Sequence, residues 1–299
     1  MKLMRVIIFL AVSTMLAAAS SGTVKHLFLW QASKGETAFY LFGTMHLAEP
    51  SLQKLPAPLE KVLSGSDAVY TEVAIEPAVQ MRANELMIRR DNRTLKSILP
   101  AALYKRSSDY LRSINPALNI HPFEKMKLWA FSATLQFLEA QIKYPKVPSI
   151  DAVIYRRAKA LGKETGGIES IEEQLAAMEA LSDKEQILMH EATLDYLEEN
   201  KDYTEKMRAL YVKGDEKALM DYIMEVMFTV EKYRQLEQRL MQLLLYDRNI
   251  RMAERIMQKV EDHPQKIYLF AFGTMHFLDQ GSVIELLEKE GFRIERIRE

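Results

Sequence analysis

Phe-Gly-Thr-Met-His, at residues 42–46, is repeated without change at residues 272–276. Each copy ends an apolar run typical of a strand and precedes a helix-like stretch and a second strand-like run. Strands joined through a helix usually run parallel in one sheet. The two copies therefore predict neighbouring turns at the carboxyl end of a shared sheet, where α/β folds bind ligands.

The predicted fold class is α/β, with a mixed central sheet formed by two repeated strand, Gly-x-x-His turn, helix and strand halves at the chain ends. The first half is predicted as a hairpin of Val24–Gln31 and Thr37–Gly43 joined by residues 32–36, helix Leu59–Leu63 and strand Ala68–Ile75. The second half is predicted as strand Lys266–Gly273, helix Ser282–Glu290 and strand Phe292–Ile297.

Helical patterns dominate the middle of the chain, from about residue 77 to residue 263. A short strand is predicted at Glu164–Ile168, and the helices after residue 149 are predicted at Ile150–Leu161, Ile171–Leu181, Asp183–Lys213 and Glu216–Val260. We predict that this large helical insertion forms a cap, and that residues 20–299 form a single domain.

Composition excludes several classes of function. The 299 residues include 40 basic and 41 acidic side chains, so the clustered basic excess of a nucleic-acid-binding protein is absent. The chain has no cysteine, which excludes disulfides, a thiolate nucleophile and cysteine-ligated zinc.

The N-terminus has the pattern of an export signal. Lys2 and Arg5 precede an uncharged apolar run, Val6–Ala19, and the small residues at its end predict cleavage after Ala19. The run has about 14 residues, whereas a membrane-spanning helix needs about 20. Residues 1–19 are therefore predicted to be a signal peptide, and the mature protein to be periplasmic or secreted. An uncleaved signal that anchors the protein in a membrane is the alternative.

Two of the six histidines are candidates for chemistry. His26, His121, His190 and His263 have settings that favour structural roles, in a strand, in loops or on an amphipathic helix. His46 and His276 close the two identical motifs, and the glycines Gly43 and Gly273 permit a sharp turn and a close ligand approach. Two such imidazoles can form a metal-ligand pair or an acid–base pair. The alternative is a duplication that preserves two packing turns.

Glu72 is the third candidate, because it interrupts the apolar run Ala68–Ile75. A carboxylate in a buried strand is costly unless it is paired or bound to a metal. A solvent-facing residue on an edge strand is the alternative. Two histidines and one carboxylate form a facial triad suited to Zn, Mn, Co or Fe(II). Such a metal would lower the pKa of a bound water. Without metal, the same trio could act as general base and oriented acid on an ester or amide.

At these residues the sequence resembles the TraB/PrgY/GumN family, whose animal relatives include the Tiki proteases that cleave Wnt ligands. The resemblance covers about residues 26–298. The family pattern is two Gly-x-x-His motifs flanking a helical region, with a glutamate after the first, and it is matched by Gly43, His46, Glu72, Gly273 and His276. Three further features resemble the family: Ile150-Asp151, Gly167-Ile168-Glu169 and Asp247-Arg248-Asn249.

The resemblance implies roles for the remaining candidates. It implies that Arg248 contacts the substrate or a developing oxyanion, and that substrate-binding residues include Gly43, Gly273, Asp151, Glu169 and Asn249. Salt bridges within the helical region explain Arg248, Asp151 and Glu169 equally well.

For activity, the resemblance implies a hydrolase, most directly a peptidase dependent on a divalent metal ion (Mn, Co or Zn) held by His46, Glu72 and His276. Erythromycin esterases of the wider superfamily imply a metal-free esterase or amidase as an alternative. A peptide-sequestering protein without catalysis is a third hypothesis. The expected partner is a peptide or a small ester or amide.

Overall fold

A computed structural model describes residues 26–46, 50, 53–199, 203–226 and 230–297. The predicted signal peptide lies outside the described residues. In the described part of the chain, none of the helices combines the length and hydropathy that a bilayer span requires.

Six strands form one mixed sheet in the order β4-β3-β5-β2-β1-β6. The strands are β1 (Leu29–Lys34), β2 (Thr37–Thr44), β3 (Ala68–Thr71), β4 (Glu164–Gly167), β5 (Tyr268–Gly273) and β6 (Arg293–Arg296). Strands β4, β3, β5 and β2 pair in parallel, whereas β1 is antiparallel to both β2 and β6. The predicted α/β class with a mixed sheet is confirmed.

The central strands are apolar because helices cover the sheet. Leu269, Phe270, Ala271 and Phe272 of β5 are fully buried, the pattern expected of a parallel strand buried on both faces. Helices that contribute buried side chains to this core include α1 (Ala57–Gly65), α6 (Ile150–Ala160), α12 (Asp247–Asp262) and α13 (Val283–Lys289).

The predicted carboxyl ends of β1 and β3 are wrong. The hairpin connection is not residues 32–36, because Lys34 of β1 pairs with Thr37 of β2 and leaves a two-residue turn in which Gly35 has a φ of 60°. Strand β3 ends at Thr71 rather than Ile75, since the Thr71 hydroxyl donates to the carbonyl of Val73 at 2.8 Å and stabilises a bend there.

The helical middle is divided more finely than its periodicity predicts. Its remaining helices are α2 (Pro77–Met87), α3 (Leu95–Ile98), α4 (Ala101–Ile114), α5 (Leu128–Lys143), α7 (Ile171–Glu179), α8 (Asp183–Glu199), α9 (Tyr203–Lys213), α10 (Glu216–Val226) and α11 (Arg234–Met241). The single helices predicted for residues 183–213 and 216–260 are therefore wrong. Helical periodicity does not reveal such breaks, because it does not specify which core each segment packs against, and α8 and α9 contribute to different apolar clusters.

The helices of this middle region have different packing partners. Helices α3, α4, α5 and α8 share an apolar cluster of their own, whereas α6, α9, α10 and α12 contribute buried side chains to the core of the sheet. The cap boundaries at residues 77 and 263 stay a prediction.

Candidate active site

The sheet order brings the two histidine turns together. Strands β2 and β5 are parallel neighbours, and Thr44 pairs with Gly273 at their carboxyl ends. His46 lies two residues beyond β2, and His276 lies in a 3-10 turn, Thr274–Phe277, directly after β5. The Thr274 hydroxyl donates to the carbonyl of Thr44 at 2.8 Å and links the two motif copies.

Glu72 lies between the two imidazoles. It is the first residue after β3, which neighbours β5 on its other side. Its Oε1 is 3.3 Å from Nε2 of His46 and 3.7 Å from Nε2 of His276. The structure thus brings these three predicted residues into one cluster.

The Glu72 carboxylate is buried and fully supplied with donors. Its Oε1 accepts the backbone N–H of Gly273 at 2.6 Å, and its Oε2 accepts from Gln174 at 2.8 Å and from Arg248 at 2.6 Å. Burial alone would raise the pKa of this carboxyl, but the nearby imidazoles of His276 and His46 and the guanidinium of Arg248 outweigh it and hold the pKa well below its ordinary value. Glu72 is therefore an anion at neutral pH.

His46 is the accessible member of the cluster, with 51% of its side chain exposed. Its Nδ1 is 3.1 Å from Oδ2 of Asp151, a buried residue in the first turn of α6. The other oxygen of Asp151 accepts the Thr44 hydroxyl at 2.5 Å. The Asp151 carboxylate, together with that of Glu72, raises the pKa of His46 well above its usual value, so this imidazole favours the protonated form.

His276 is the buried member. Its Nδ1 is 2.6 Å from Oδ1 of Asn249, and the Asn249 amide nitrogen donates to the carbonyl of Gly281 at 2.8 Å. This second bond fixes the amide, so Nδ1 of His276 carries the proton and Nε2 presents its lone pair toward Glu72. Burial, with a smaller contribution from Arg248, lowers the pKa of His276 to about 4. It is a neutral imidazole at pH 7.

Arg248 joins Glu72 to a second buried carboxylate. Its Nε and Nη2 donate to Oε2 of Glu169 at 2.9 and 2.8 Å, and its Nη1 donates to the carbonyl of Leu244 at 3.1 Å. Arg251 donates to the other Glu169 oxygen at 3.3 Å. Most of the donors of Arg248 are therefore used within the protein, which matches the salt-bridge interpretation of Arg248 and Glu169.

A π-helical turn precedes these residues. Residues Gln242–Tyr246 form it between α11 and α12, and Arg248 and Asn249 follow in the first turn of α12. The extra residue of a π turn shifts the face that the following helix presents, and such turns are frequent at functional sites. Here Arg248 and Asn249 reach Glu72 and His276, respectively.

The two motif glycines have different surroundings. A Cβ on Gly273 would lie 3.0 Å from Glu72 Oε1 and 3.2 Å from His46 Nε2, so its absence leaves space inside the cluster. A Cβ on Gly43 would instead lie 2.9 Å from the Cβ of Phe28 and 2.9 Å from the Thr274 hydroxyl. Gly43 thus permits close packing next to the strand, whereas Gly273 faces the candidate site.

Gln174 and Thr44 are partners that sequence reasoning missed. Gln174 lies on α7, whose start is fixed by a capping box between Ser170 and Glu173. A glutamine on an amphipathic helix carries no local signal that it reaches a buried carboxylate. Thr44 and Thr274 occupy the same position in the two motif copies, but their hydroxyls bind different groups. Thr44 donates to Asp151, whereas Thr274 donates to the carbonyl of Thr44, and the repeat gives no sign of this difference.

The donors fit a divalent metal ion by their chemistry. Among the described residues, no group of three or more histidine or acidic side chains is arranged as a metal site. However, both imidazoles use Nδ1 for a partner, Asp151 or Asn249, and direct Nε2 toward Glu72, as metal-bound histidines commonly do. For His276 this places a lone pair toward an anionic oxygen, and a cation near Nε2 would be favourable.

Comparison with known proteins agrees with the motif pattern. The model of the TraB/PrgY/gumN family matches residues 28–296. The chain belongs to this family. The resemblance inferred from the two Gly-x-x-His motifs is therefore confirmed.

Curated family relatives include proteins named metalloproteases. Metalloprotease TIKI2 of Danio rerio is 25% identical over 312 residues, covering 90% of this chain and 60% of the relative. Metalloprotease TIKI homolog of Nematostella vectensis is 23% identical, covering 91% and 67%. Uncharacterized protein YbaP of Escherichia coli (strain K12) is 25% identical, covering 85% and 89%. The chain spans 60% and 62% of the length of the two TIKI relatives from Danio rerio. No solved structure matches.

Proposed function

We propose that this chain is a hydrolase of peptide bonds in which His46, Glu72 and His276 hold and activate the attacking water. The observation that carries the proposal is the meeting of both motif imidazoles at one buried carboxylate, each with its Nδ1 fixed by a partner. Packing alone does not require two polar rings to be aimed at one anion. The metalloprotease names of the family relatives support the peptide as substrate.

Each residue has a defined task in this proposal. Glu72 supplies an anionic oxygen between the imidazoles, and Asp151 holds the ring of His46 so that Nε2 faces Glu72. In the form without an ion on Nε2, the exposed and protonated His46 is the group that meets the substrate and can pass a proton to the leaving amine. A divalent ion, when bound by the two Nε2 atoms and Glu72, supplies a water of lowered pKa and polarises the scissile carbonyl.

A metal-free version is the second candidate, and the His46–Asp151 pair favours it. Once it has lost its proton, an imidazole oriented by a buried carboxylate can act as general base on water without a metal. Both versions use the same residues, so exhaustive chelation separates them. Activity that disappears on chelation and returns with Mn, Co or Zn supports the metal-dependent version, whereas activity that survives supports the metal-free one.

The test of the proposal is a pair of single variants, His46→Ala and His276→Ala, with His121→Ala as the control. His121 is an exposed histidine outside the cluster. Cleavage of a peptide library is measured by mass spectrometry, and ion binding is measured by calorimetry. We expect each site variant to lose at least about 100-fold in cleavage, with His121→Ala unchanged. Wild-type rates in both site variants, with folding verified by circular dichroism, would refute the proposed active site.

A further inference from the structure

Phe277, the residue after His276, is part of the lining of a groove of about 830 Å³. The buried apolar side chains of this groove are Trp30, Phe277 and Leu278. Met220 of α10 and Ile284 of α13 also line the groove, and both are only partly buried. The apolar part of the lining includes a flexible methionine, which is suited to side chains of varied shape.

The rim of the groove carries negative charge that is not neutralised. Asp279 and Glu288 are exposed, and no cation among the described residues lies within ion-pair distance of either. The basic side chains of the groove are already occupied by acidic neighbours. These pairs are Lys217 with Asp221 and Arg296 with Glu216, each at 2.6 Å. A ligand that presents positive charge would complement the remaining carboxylates.

The backbone of Asp279 is in an unusual conformation. Its φ is 64°, and among the described residues it is the only non-glycine residue with a positive φ. Aspartate tolerates this region better than most residues, but glycine would adopt it without cost. Asp279 nevertheless places a carboxylate here, on the segment between His276 and α13. Such local strain commonly marks a functional position.

Asn249 links the groove to the candidate active site. Its Oδ1 binds Nδ1 of His276, and its Nδ2 donates to the carbonyl of Gly281, two residues beyond Asp279. Gly281 is also fixed by Glu285, whose carboxylate accepts the Gly281 N–H at 2.5 Å. The segment that forms the groove is thus anchored to the same amide that orients the buried imidazole.

We propose that this groove binds an extended substrate segment in which a lysine or arginine lies next to large apolar side chains. Asp279 and Glu288 bind the cation, and the apolar lining holds its neighbours. The inference rests on the proposed function, because it assigns the groove to the peptide that the proposed active site cleaves.

The test measures binding without turnover, in His46→Ala protein, by calorimetry. The probes are the peptide acetyl-Gly-Leu-Lys-Met-Val-Lys-Leu-Gly-amide and its copy with glutamate in place of both lysines. We expect the lysine peptide to bind at least about tenfold more tightly at low ionic strength, with the preference shrinking in about 0.5 M salt. Asp279→Asn and Glu288→Gln should each weaken the lysine peptide by about two- to fivefold. Asparagine at 279 keeps the tolerance for a positive φ, so this change removes mainly charge.

Asp262→Asn is the matched control, because Asp262 is an exposed acid at the end of α12 that does not line the groove. It should leave both affinities unchanged. Equal affinity for the two peptides, or no response to Asp279→Asn and Glu288→Gln, would overturn the inference. Met224 of α10 is an exposed residue in the lining of the groove. A dimer in sedimentation that Met224→Glu dissociates would also overturn the inference, since a second copy would then cover the groove.

The outcomes also separate this inference from the proposed function. Hydrolysis by the wild-type chain with no preference for basic peptides would retain the hydrolase and reject the groove. Charge-selective binding that responds to Asp279→Asn, without turnover of any bound peptide, would retain the groove and reject the hydrolase.

Discussion

Replacing Arg248 by methionine tests whether this residue stabilises the protein or acts on the substrate. Arg248 is the shared cation of two buried carboxylates, since the side chains of Glu72 and Glu169 are 6% and 0% exposed. Removing one partner of a buried ion pair costs about 3–5 kcal/mol, because the other charge stays buried without compensation. Methionine has a similar length, so the substitution removes mainly charge and hydrogen bonds.

The surroundings place the expected cost at the lower end of that range. Glu169 keeps Arg251 at 3.3 Å, and Glu72 keeps the N–H of Gly273 and the amide of Gln174. We therefore expect Arg248→Met to lower the free energy of unfolding by about 3 kcal/mol. With a urea dependence of about 3 kcal/mol per molar, the midpoint should fall by about 1 M.

Equilibrium urea unfolding followed by circular dichroism measures this change, with Arg251→Met as the control. Arg251 is 37% exposed and makes one long contact to Glu169, so its loss should cost no more than about 1 kcal/mol. Adding Glu169→Gln to Arg248→Met should recover part of the loss, because one uncompensated charge is removed. If Arg248→Met is no less stable than Arg251→Met but loses hydrolysis, the salt-bridge interpretation of Arg248 is wrong and Arg248 acts on the substrate.

Three further changes probe the site and the helical region. Asn249→Leu frees Nδ1 of His276 and should weaken divalent-ion binding by about 10- to 100-fold in calorimetry; unchanged affinity would contradict the orienting role. Gly273→Ala adds a Cβ 3.0 Å from a carboxylate oxygen of the cluster and should lower peptide cleavage at least about tenfold, whereas Gly65→Ala, with open space around it, should not. His190 is buried between two serine hydroxyls with a pKa lowered to about 4. As the pH falls, His190 therefore becomes protonated in the unfolded chain before it does so in the folded protein. Its contribution to the free energy of unfolding is complete above about pH 6.5 and decreases by about 3 kcal/mol as the pH falls toward 4. The difference in unfolding free energy between wild type and His190→Gln should change by this amount between about pH 6.5 and about pH 4. A difference that stays constant with pH would show that the pKa of His190 is not lowered in the folded protein.

Much of the sheet could be predicted because its signals are local. The aromatic and β-branched runs that end in identical turns indicated strands β2 and β5, and the charge inside an apolar run marked Glu72. The order of the strands could not be predicted from local signals. In the structure β5 lies between β2 and β3, although it is far from both in sequence. The end of β3 at Thr71 depends on a hydroxyl bond that strand propensity does not describe.

The partners of the site were harder to predict than its members. Asp151 and Asn249 were expected from the family resemblance to bind substrate, whereas in the structure they hold the two imidazoles. Gln174 gave no signal, because its contact with Glu72 spans 102 positions of the chain. The π turn before Arg248 was also hidden, since the apolar residues continue through it on a helical spacing.

The position of β5 makes the order of synthesis important. It lies between β2 and β3, although both of those strands are made by residue 71 and β5 only at residues 268–273. While the chain is being translated, its amino-terminal strands therefore expose unpaired edges that no local partner can satisfy, and such edges promote aggregation. The cluster around Glu72 also assembles only after β5 has joined the sheet, because His276 lies in the turn directly after this strand. A chain that terminates before β5 would have neither the strand that joins β2 to β3 nor the second imidazole.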